Sequence, residues 1–585
     1  MLSFKPFIAL REERYMKKYL PQNFLKRLGK NIPDFQETEN IIDIAAYAYC
    51  DIQEMLKDKA ILESHFCAGY LKKGMGINNP NLDKLGLPYS FTDWNSKPNE
   101  LVKSITETLE GYSKGEFGIV EFLARLNLAL KPTKLEMYDD PDIADEVYAY
   151  FLICLVDYYV KKYMDRFKDG SSCAHPMSSY HTDHVCIYRK SPGSMFPGNV
   201  NGTWIDEAVS EGINEKLSEL FFIPRDRLPR KSEVTFASYP PKKGVLDSVL
   251  RDDKTKTLRI AVVPFCQKRV TEFPVVLGSL FTVKHSLKDY DKDYKVIAVD
   301  LLNAAIKNSC HIVVFPEFMM SQTILDALED ELCRKHNSNE GTENLLLVCA
   351  GTRWDESNNN IGTLLSAEGV VLIEKFKTEP YKTNIKGKDY VEYLNDPGRV
   401  IQLLDVEGFG RVQLSVCRDV CATKGDSDHN RIFSLFHPDL VLVPAWSGSV
   451  ISGFAGQFED MGKKGAVSIL GNCCEAITFI VELKKEEAGI KGKEVSDPPP
   501  SKKIRAMTGL PDGKGKGKNI KISCEYGLEK NCPVGNCMII YDLEFPNENN
   551  SNTFRIDSGT LDLIGKDGKS VLLNEKDGTG ILKVL

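Results

Sequence analysis

Three residues at the ends of apolar runs carry groups able to perform nucleophilic chemistry: Glu317, Lys377 and Cys417. Cys417 closes the alternating run Val412-Gln-Leu-Ser-Val416, which reads as a strand, with Arg418 beside it and a Gly/Asp loop downstream. A thiol at a strand's C-terminal end next to a cation has the setting of a reactive cysteine. Glu317 follows Ile312-Val-Val-Phe-Pro316, so a carboxylate emerges from a buried strand, where burial raises its pKa toward acid/base duty. Lys377 lies behind the run Val370 to Ile373 and can offer an ammonium to an oxyanion. A nucleophile, a proton carrier and positive potential are what hydrolysis of an amide or nitrile through a covalent intermediate requires. Taken singly, each residue also fits a plain role. Glu317 can cap the helix after it, Lys377 can be a solvated charge beside Lys375 and Lys382, and Cys417 can be a buried thiol.

The elements that must position these groups alternate in type. Leu258 to Val263, Ile312 to Phe315, Leu345 to Cys349, Val370 to Ile373, Val412 to Val416, Leu440 to Val443 and Ala466 to Leu470 read as strands. Helical patterns at Val296 to Lys307 and around Gly456 to Lys464 lie among them, and such alternation predicts α/β layering. Residues 1–235 carry a different pattern. Apolar residues recur at three and four positions over Thr38 to Gly69, Leu101 to Tyr112, Gly118 to Leu130 and Ile143 to Phe167, with a further helix at Thr203 to Phe222, so an α-rich domain is expected. Residues 236–256 then read as part of a stiff Pro-containing linker, and 257–585 as the α/β domain. Within it, residues 484–533 are rich in Lys, Pro and Gly and read as a basic mobile insertion too polar to bury a core.

At 585 residues the chain is long enough for two domains, and its net charge of −7 gives no support to a whole-surface nucleic-acid or membrane binder. The opening residues lack a signal-peptide pattern, and Ile143 to Phe167 carries too many charges for a membrane span. The 16 scattered cysteines fit a reducing compartment, so a cytoplasmic location is expected. Cys173, His175, His181, His184 and Cys186 crowd into one segment and could hold a structural zinc, although their spacing matches no zinc module and a plain Ser-rich loop explains them as well.

Taken together, Phe315-Pro316-Glu317, the Gly369 to Lys377 unit and Val416-Cys417-Arg418-Asp419 resemble the nitrilase, or carbon-nitrogen hydrolase, superfamily. Asn360-Ile-Gly-Thr-Leu-Leu365, Pro438 to Trp446, Asn472 and Val534 to Ile540 support the resemblance, which spans about Thr257 to the C-terminus. It implies an αββα sandwich and a Glu-Lys-Cys triad made of Glu317, Lys377 and Cys417. It further implies that Lys377 and the Arg418 amide hold the oxyanion, and that Glu392 is the second glutamate many members carry. No metal or organic cofactor is implied, and homo-oligomers are. Two departures stand out. Arg418 follows the cysteine where an aromatic or acidic residue is common, and Thr378-Glu379-Pro380 replaces the usual histidine after the lysine. Arg418 and Trp446 are candidates to line the pocket, where an arginine favours an acidic substrate unless Asp419 pairs with it.

The expected function is therefore hydrolysis of a small-molecule amide or nitrile, with the N-terminal domain regulating it or binding a partner. One competing reading is a nitrilase-fold effector or scaffold, as in prokaryotic defence or signalling systems. It would recognise protein or nucleic acid through the N-terminal domain or the basic insertion, with catalysis absent or switched on by a partner. Another is acyl transfer to an amine.

Overall fold

A computed structural model of the protein describes most of residues 233–582 and, before them, chiefly parts of 100–118, 152–160, 179–189 and 220–224. The chain divides into two compact units, one of Met1–Lys190 with Asp206–Leu228 and the other of Ser191–Ile205 with Pro229–Leu585.

In the first unit, helix α1 (Glu100–Ser113) buries Ile105 and Leu109, spaced by four residues as an amphipathic stripe requires. A three-stranded antiparallel sheet joins β1 (Ser179–His181), β2 (Val185–Arg189) and β3 (Leu220–Pro224). Strand β3 therefore occupies the end of a segment expected to be helical. Of the candidate zinc ligands, His181 and Cys186 are backbone partners across β1 and β2. Cys173, His175 and His184 lie outside the described residues.

The second unit is built on two mixed sheets. The first orders β22 (Cys537–Glu544), β5 (Thr257–Val262), β10 (Ile312–Val314), β11 (Leu347–Trp354), β12 (Asn360–Ser366) and β13 (Val371–Phe376). The second orders β4 (Glu233–Tyr239), β16 (Val400–Val406), β17 (Gly410–Leu414), β18 (Leu440–Ala445), β19 (Val467–Asn472), β20 (Ile504–Pro511) and β21 (Gly517–Cys524). Strands β5, β10, β18 and β19 are nearly continuous apolar runs because both of their faces are covered. Leu258, Ile260, Ile312 and Leu347 of the first sheet meet Leu404, Leu414, Leu442 and Ile469 of the second in one inter-sheet core.

The outer face of the first sheet packs Val313, Phe315 and Val348 against α3 (Tyr290–Lys307) and α4 (Gln322–Ser338), following the short α2 (Val245–Val249). The outer face of the second packs Val441, Val443 and Leu470 against Phe454, Phe458 and Met461 of α6 (Val450–Lys463), after the one-turn α5 (Arg418–Cys421). The layers thus run helix, sheet, sheet, helix. Strands β24 (Asp562–Gly565), β25 (Ser570–Lys576) and β26 (Thr579–Leu582), with the short β23 (Arg555–Ile556), lead from β22 of the first sheet to β21 of the second. A smaller sheet orders β14 (Lys382–Ile385), β15 (Lys388–Glu392), β8 (Leu280–Phe281) and β7 (Val275–Leu277), beside the pair β6 (Thr271–Glu272) and β9 (Lys284–His285).

Two segments differ from the sequence-based expectation. Residues 233–239, assigned to the end of the helical domain and the linker, are strand β4, paired parallel with β16 over seven residues. The basic insertion contains β20, buried along its whole length, and β21, although most of its remainder lies outside the described residues. Gly509 and Gly517, which look like linker residues, are packing residues. A Cβ on Gly509 would lie 2.8 Å from Phe458 Cβ, and one on Gly517 would strike the Glu459 carbonyl of α6. Glycine lets the hairpin lie directly on that helix.

Candidate active site

The strand ends bring four sequence-selected residues together. Glu317 is the third residue after β10, Lys377 immediately follows β13, Glu392 ends β15, and Cys417 sits between β17 and α5. Phe318 and Cys417 both have left-handed backbones, with φ of 66° and 42°, which is uncommon for residues with a Cβ. The surrounding bonds hold these turns. Cys417 N–H donates to Pro444 O at 3.0 Å, and Phe318 N–H donates to Thr352 Oγ1 at 3.0 Å. His285 Nε2 donates to the Phe318 carbonyl at 2.9 Å, with its ring stacked on Tyr290, whose hydroxyl donates to the Met319 carbonyl. Such sharp turns aim a side chain out of a sheet edge, and they recur at functional sites.

The Lys377 ammonium donates to Glu317 Oε1 at 2.6 Å and to Glu392 Oε2 at 2.7 Å. Asn360 bridges the same carboxylates through Nδ2, at 3.0 Å to Glu317 Oε1 and 3.1 Å to Glu392 Oε1. Trp446 N–H donates to Glu317 Oε2 at 3.0 Å, and Tyr381 N–H to Glu392 Oε2 at 2.7 Å. The Cys417 thiol lies beside this cluster, near enough to feel both the Glu317 carboxylate and the Lys377 ammonium. Glu317, Lys377 and Glu392 are at most 2% exposed, so two carboxylates share one ammonium away from water.

This environment sets the protonation states. Burial pushes Glu317 above the usual carboxylate range, Lys377 pulls it back, and Glu392 raises it again. Burial alone would lower Lys377, but the two carboxylates outweigh it and the ammonium is held above its ordinary value. The Cys417 thiol is driven well above its ordinary value by burial and by Glu317, against the opposing pull of Lys377. The resting arrangement is therefore a neutral thiol, a carboxylate with raised basicity and a fixed cation. It can pass a proton from sulfur to carboxylate beside a positive charge.

Arg418 is half-buried at the start of α5. Trp446 reaches the cluster through its backbone N–H, while its ring packs among Phe273, Phe318, Tyr381 and Phe479 at centroid distances of 5.1 to 6.3 Å. Its indole N–H donates to the buried Glu475 at 3.4 Å. Sequence reasoning missed Asn360 as a site residue. The run Asn360 to Leu365 supports the family resemblance as a whole, and nothing in it signals a side chain spanning two glutamates.

No protein-family model matches the chain, and no curated protein is similar to it in sequence. Solved structures of nitrilase-superfamily proteins match about 37% of it. An amidase mutant from Nesterenkonia sp. AN1, in complex with butyramide, is 14% identical over 37% of this chain and 77% of its own, with a TM-score of 0.26. Saccharomyces cerevisiae Nit3 is 11% identical over 38% of this chain and 78% of its own, also at 0.26. The C. elegans NitFhit protein is 15% identical over 38% of this chain and 52% of its own, at 0.24. Among the described residues, no helix is long and apolar enough to cross a membrane.

Proposed function

We propose that this protein hydrolyses carbon-nitrogen bonds of small amides or nitriles through a thioester on Cys417. The observation that carries the reading is the buried Glu317–Lys377–Glu392 cluster at the strand ends, set beside Cys417. Glu317 Oε1 already accepts from both Lys377 and Asn360, whereas Oε2 accepts from the Trp446 amide. Oε2 is thus the oxygen with capacity for the sulfur's proton.

For an amide, the thiolate forms a carbon-sulfur bond at the carbonyl, and its electron pair moves to oxygen. That oxyanion gathers the Lys377 ammonium and the Arg418 N–H. Arg418 is the first residue of α5, so its N–H has no intrahelical acceptor. As the carbon-nitrogen bond breaks, Glu317 returns the proton to the leaving nitrogen. Water then gives a proton to Glu317 and attacks the thioester, the carbon-sulfur bond breaks, and the proton passes to sulfur as the acid departs. Glu392 orients Lys377. In the same reading the N-terminal unit regulates the reaction or receives a partner, and the chain assembles as a homo-oligomer in the cytoplasm.

The test is ammonia release from a panel of amides, nitriles and carbamoyl compounds by the full chain and by Cys417→Ser. Release that disappears in the variant supports the reading. Release that survives in it, or none from any compound, counts against hydrolysis at Cys417.

A further inference from the structure

Two buried charges next to the cluster take no part in the proton path. Asp419 lies two residues after Cys417 and is 1% exposed. Its Oδ1 accepts the N–H groups of Thr378 at 3.0 Å and Glu379 at 2.8 Å, the two residues that follow Lys377. Its Oδ2 accepts the N–H of Val416 at 3.3 Å, the residue before Cys417. Lys375, also 1% exposed, lies on β13 and donates through Nζ to Thr378 Oγ1 at 3.3 Å. Burial holds the Lys375 ammonium below its ordinary pKa, and the Asp419 charge opposes that shift only in part.

We propose that Asp419 is a positioning residue: it fixes the Cys417 turn against the Lys377 loop. This rests on the hydrolase reading above. A cap for the one-turn α5 would explain the Val416 contact, but not donors 40 and 41 residues away on the other sheet's loop. One carboxylate therefore ties together the end of β13 and the end of β17, where the proposed oxyanion cation and nucleophile begin. The bonds from the lysine loop are made by backbone N–H groups, so they do not depend on side-chain type. The Thr378-Glu379 pair can meet them although a histidine is usual after the lysine. Register adds to the argument, because Lys375 pairs with Gly362 across β12 and β13. A Cβ on that glycine would lie 3.0 Å from Val416 Cγ2, so the Lys375 strand pair and the cysteine turn approach closely.

The test is the second-order rate of Cys417 alkylation by iodoacetamide across pH, read by peptide mass spectrometry on the full chain. The variants are Asp419→Asn with Lys375→Met, which leaves no unpaired buried ammonium, and Asp419→Glu, which keeps the charge but moves the oxygens by one methylene. Thermal unfolding establishes which variants are folded. The expected result in the folded double variant is a rate about a hundredfold lower, the scale of an ångström-size misplacement, with the pH midpoint moved upward. Asp419→Glu moves both in the same direction and serves alone if the double variant does not fold. A folded variant whose rate and midpoint equal the wild type overturns the proposal. Equal labelling of wild type and Glu317→Gln is a different outcome: there the hydrolase reading itself fails, and the positioning role falls with it.

Discussion

The α/β unit buries two kinds of ion cluster, and the contrast between them separates architecture from chemistry. Arg411 and Asp405 form a matched pair, Nε to Oδ1 at 2.7 Å and Nη2 to Oδ2 at 3.1 Å, with Arg411 also donating to the Phe436 carbonyl. Every charge there has its opposite, and the planar fork fits the carboxylate. In the Glu317–Lys377–Glu392 cluster one ammonium faces two carboxylates beside a thiol, so the arrangement is unmatched, and Glu317 and Cys417 are both held above their ordinary values. Burial of an unmatched set is costly, and it is useful only if a proton is to move.

The contrast can be broken from either side. Glu317→Gln is expected to lower hydrolysis and Cys417 alkylation by about 10²–10⁴-fold, the range for losing a general base, while the protein stays folded. Arg411→Met should do the reverse. Stranding the Asp405 carboxylate is expected to cost about 3–5 kcal/mol of unfolding free energy in denaturant titration, with the alkylation rate of the folded fraction unchanged. If Arg411→Met silences the cysteine instead, the two clusters are not separable.

A smaller effect, of about 1–3 kcal/mol, is expected from Gly509→Ala, because its new methyl must push β20 off Phe458. It should lower stability without altering the pH profile, and an unchanged melting temperature would show that the close approach is not required. The subtlest prediction concerns pH. Since the Glu317 pKa is raised, the acid limb of the rate should lie above the ordinary glutamate value of 4.5. The stability sign follows from the same shift. The folded state holds the Glu317 proton more tightly than the unfolded state, so this contribution is present at low pH and is lost as pH rises from 4.5 through the folded pKa. Glu317→Gln should therefore lose less stability over that interval than the wild type, and identical curves would argue against the raised pKa.

Much of the candidate site was legible because it sits where buried strands end. Ile312 to Phe315 and Val412 to Val416 declare themselves by apolar pattern, and Glu317 and Cys417 are conspicuous as the first chemically active residues beyond them. Glu392 was reachable only through the family resemblance, because the alternation around β15 is weak and its partners are far along the chain. Asn360 and the Asp419 contacts were not legible, since their meaning lies in atoms 32 to 43 residues away. The hairpin of β20 and β21 was concealed by composition. Its glycines and lysines imitate a solvated linker, yet at Gly509 and Gly517 α6 leaves no room for a Cβ. Strand β4 was hidden in the same way by the Pro240-Pro241 pair that follows it.

The central claim is that Glu317 activates Cys417, and alkylation tests it without knowledge of the substrate. Wild type and Glu317→Gln would be exposed to limiting iodoacetamide near neutral pH, and each cysteine peptide followed by mass spectrometry. The account predicts that Cys417 labels well ahead of the buried Cys349 and Cys473 in the wild type, and loses that lead with the glutamine. Cys417 labelling at an equal rate in both proteins would contradict it.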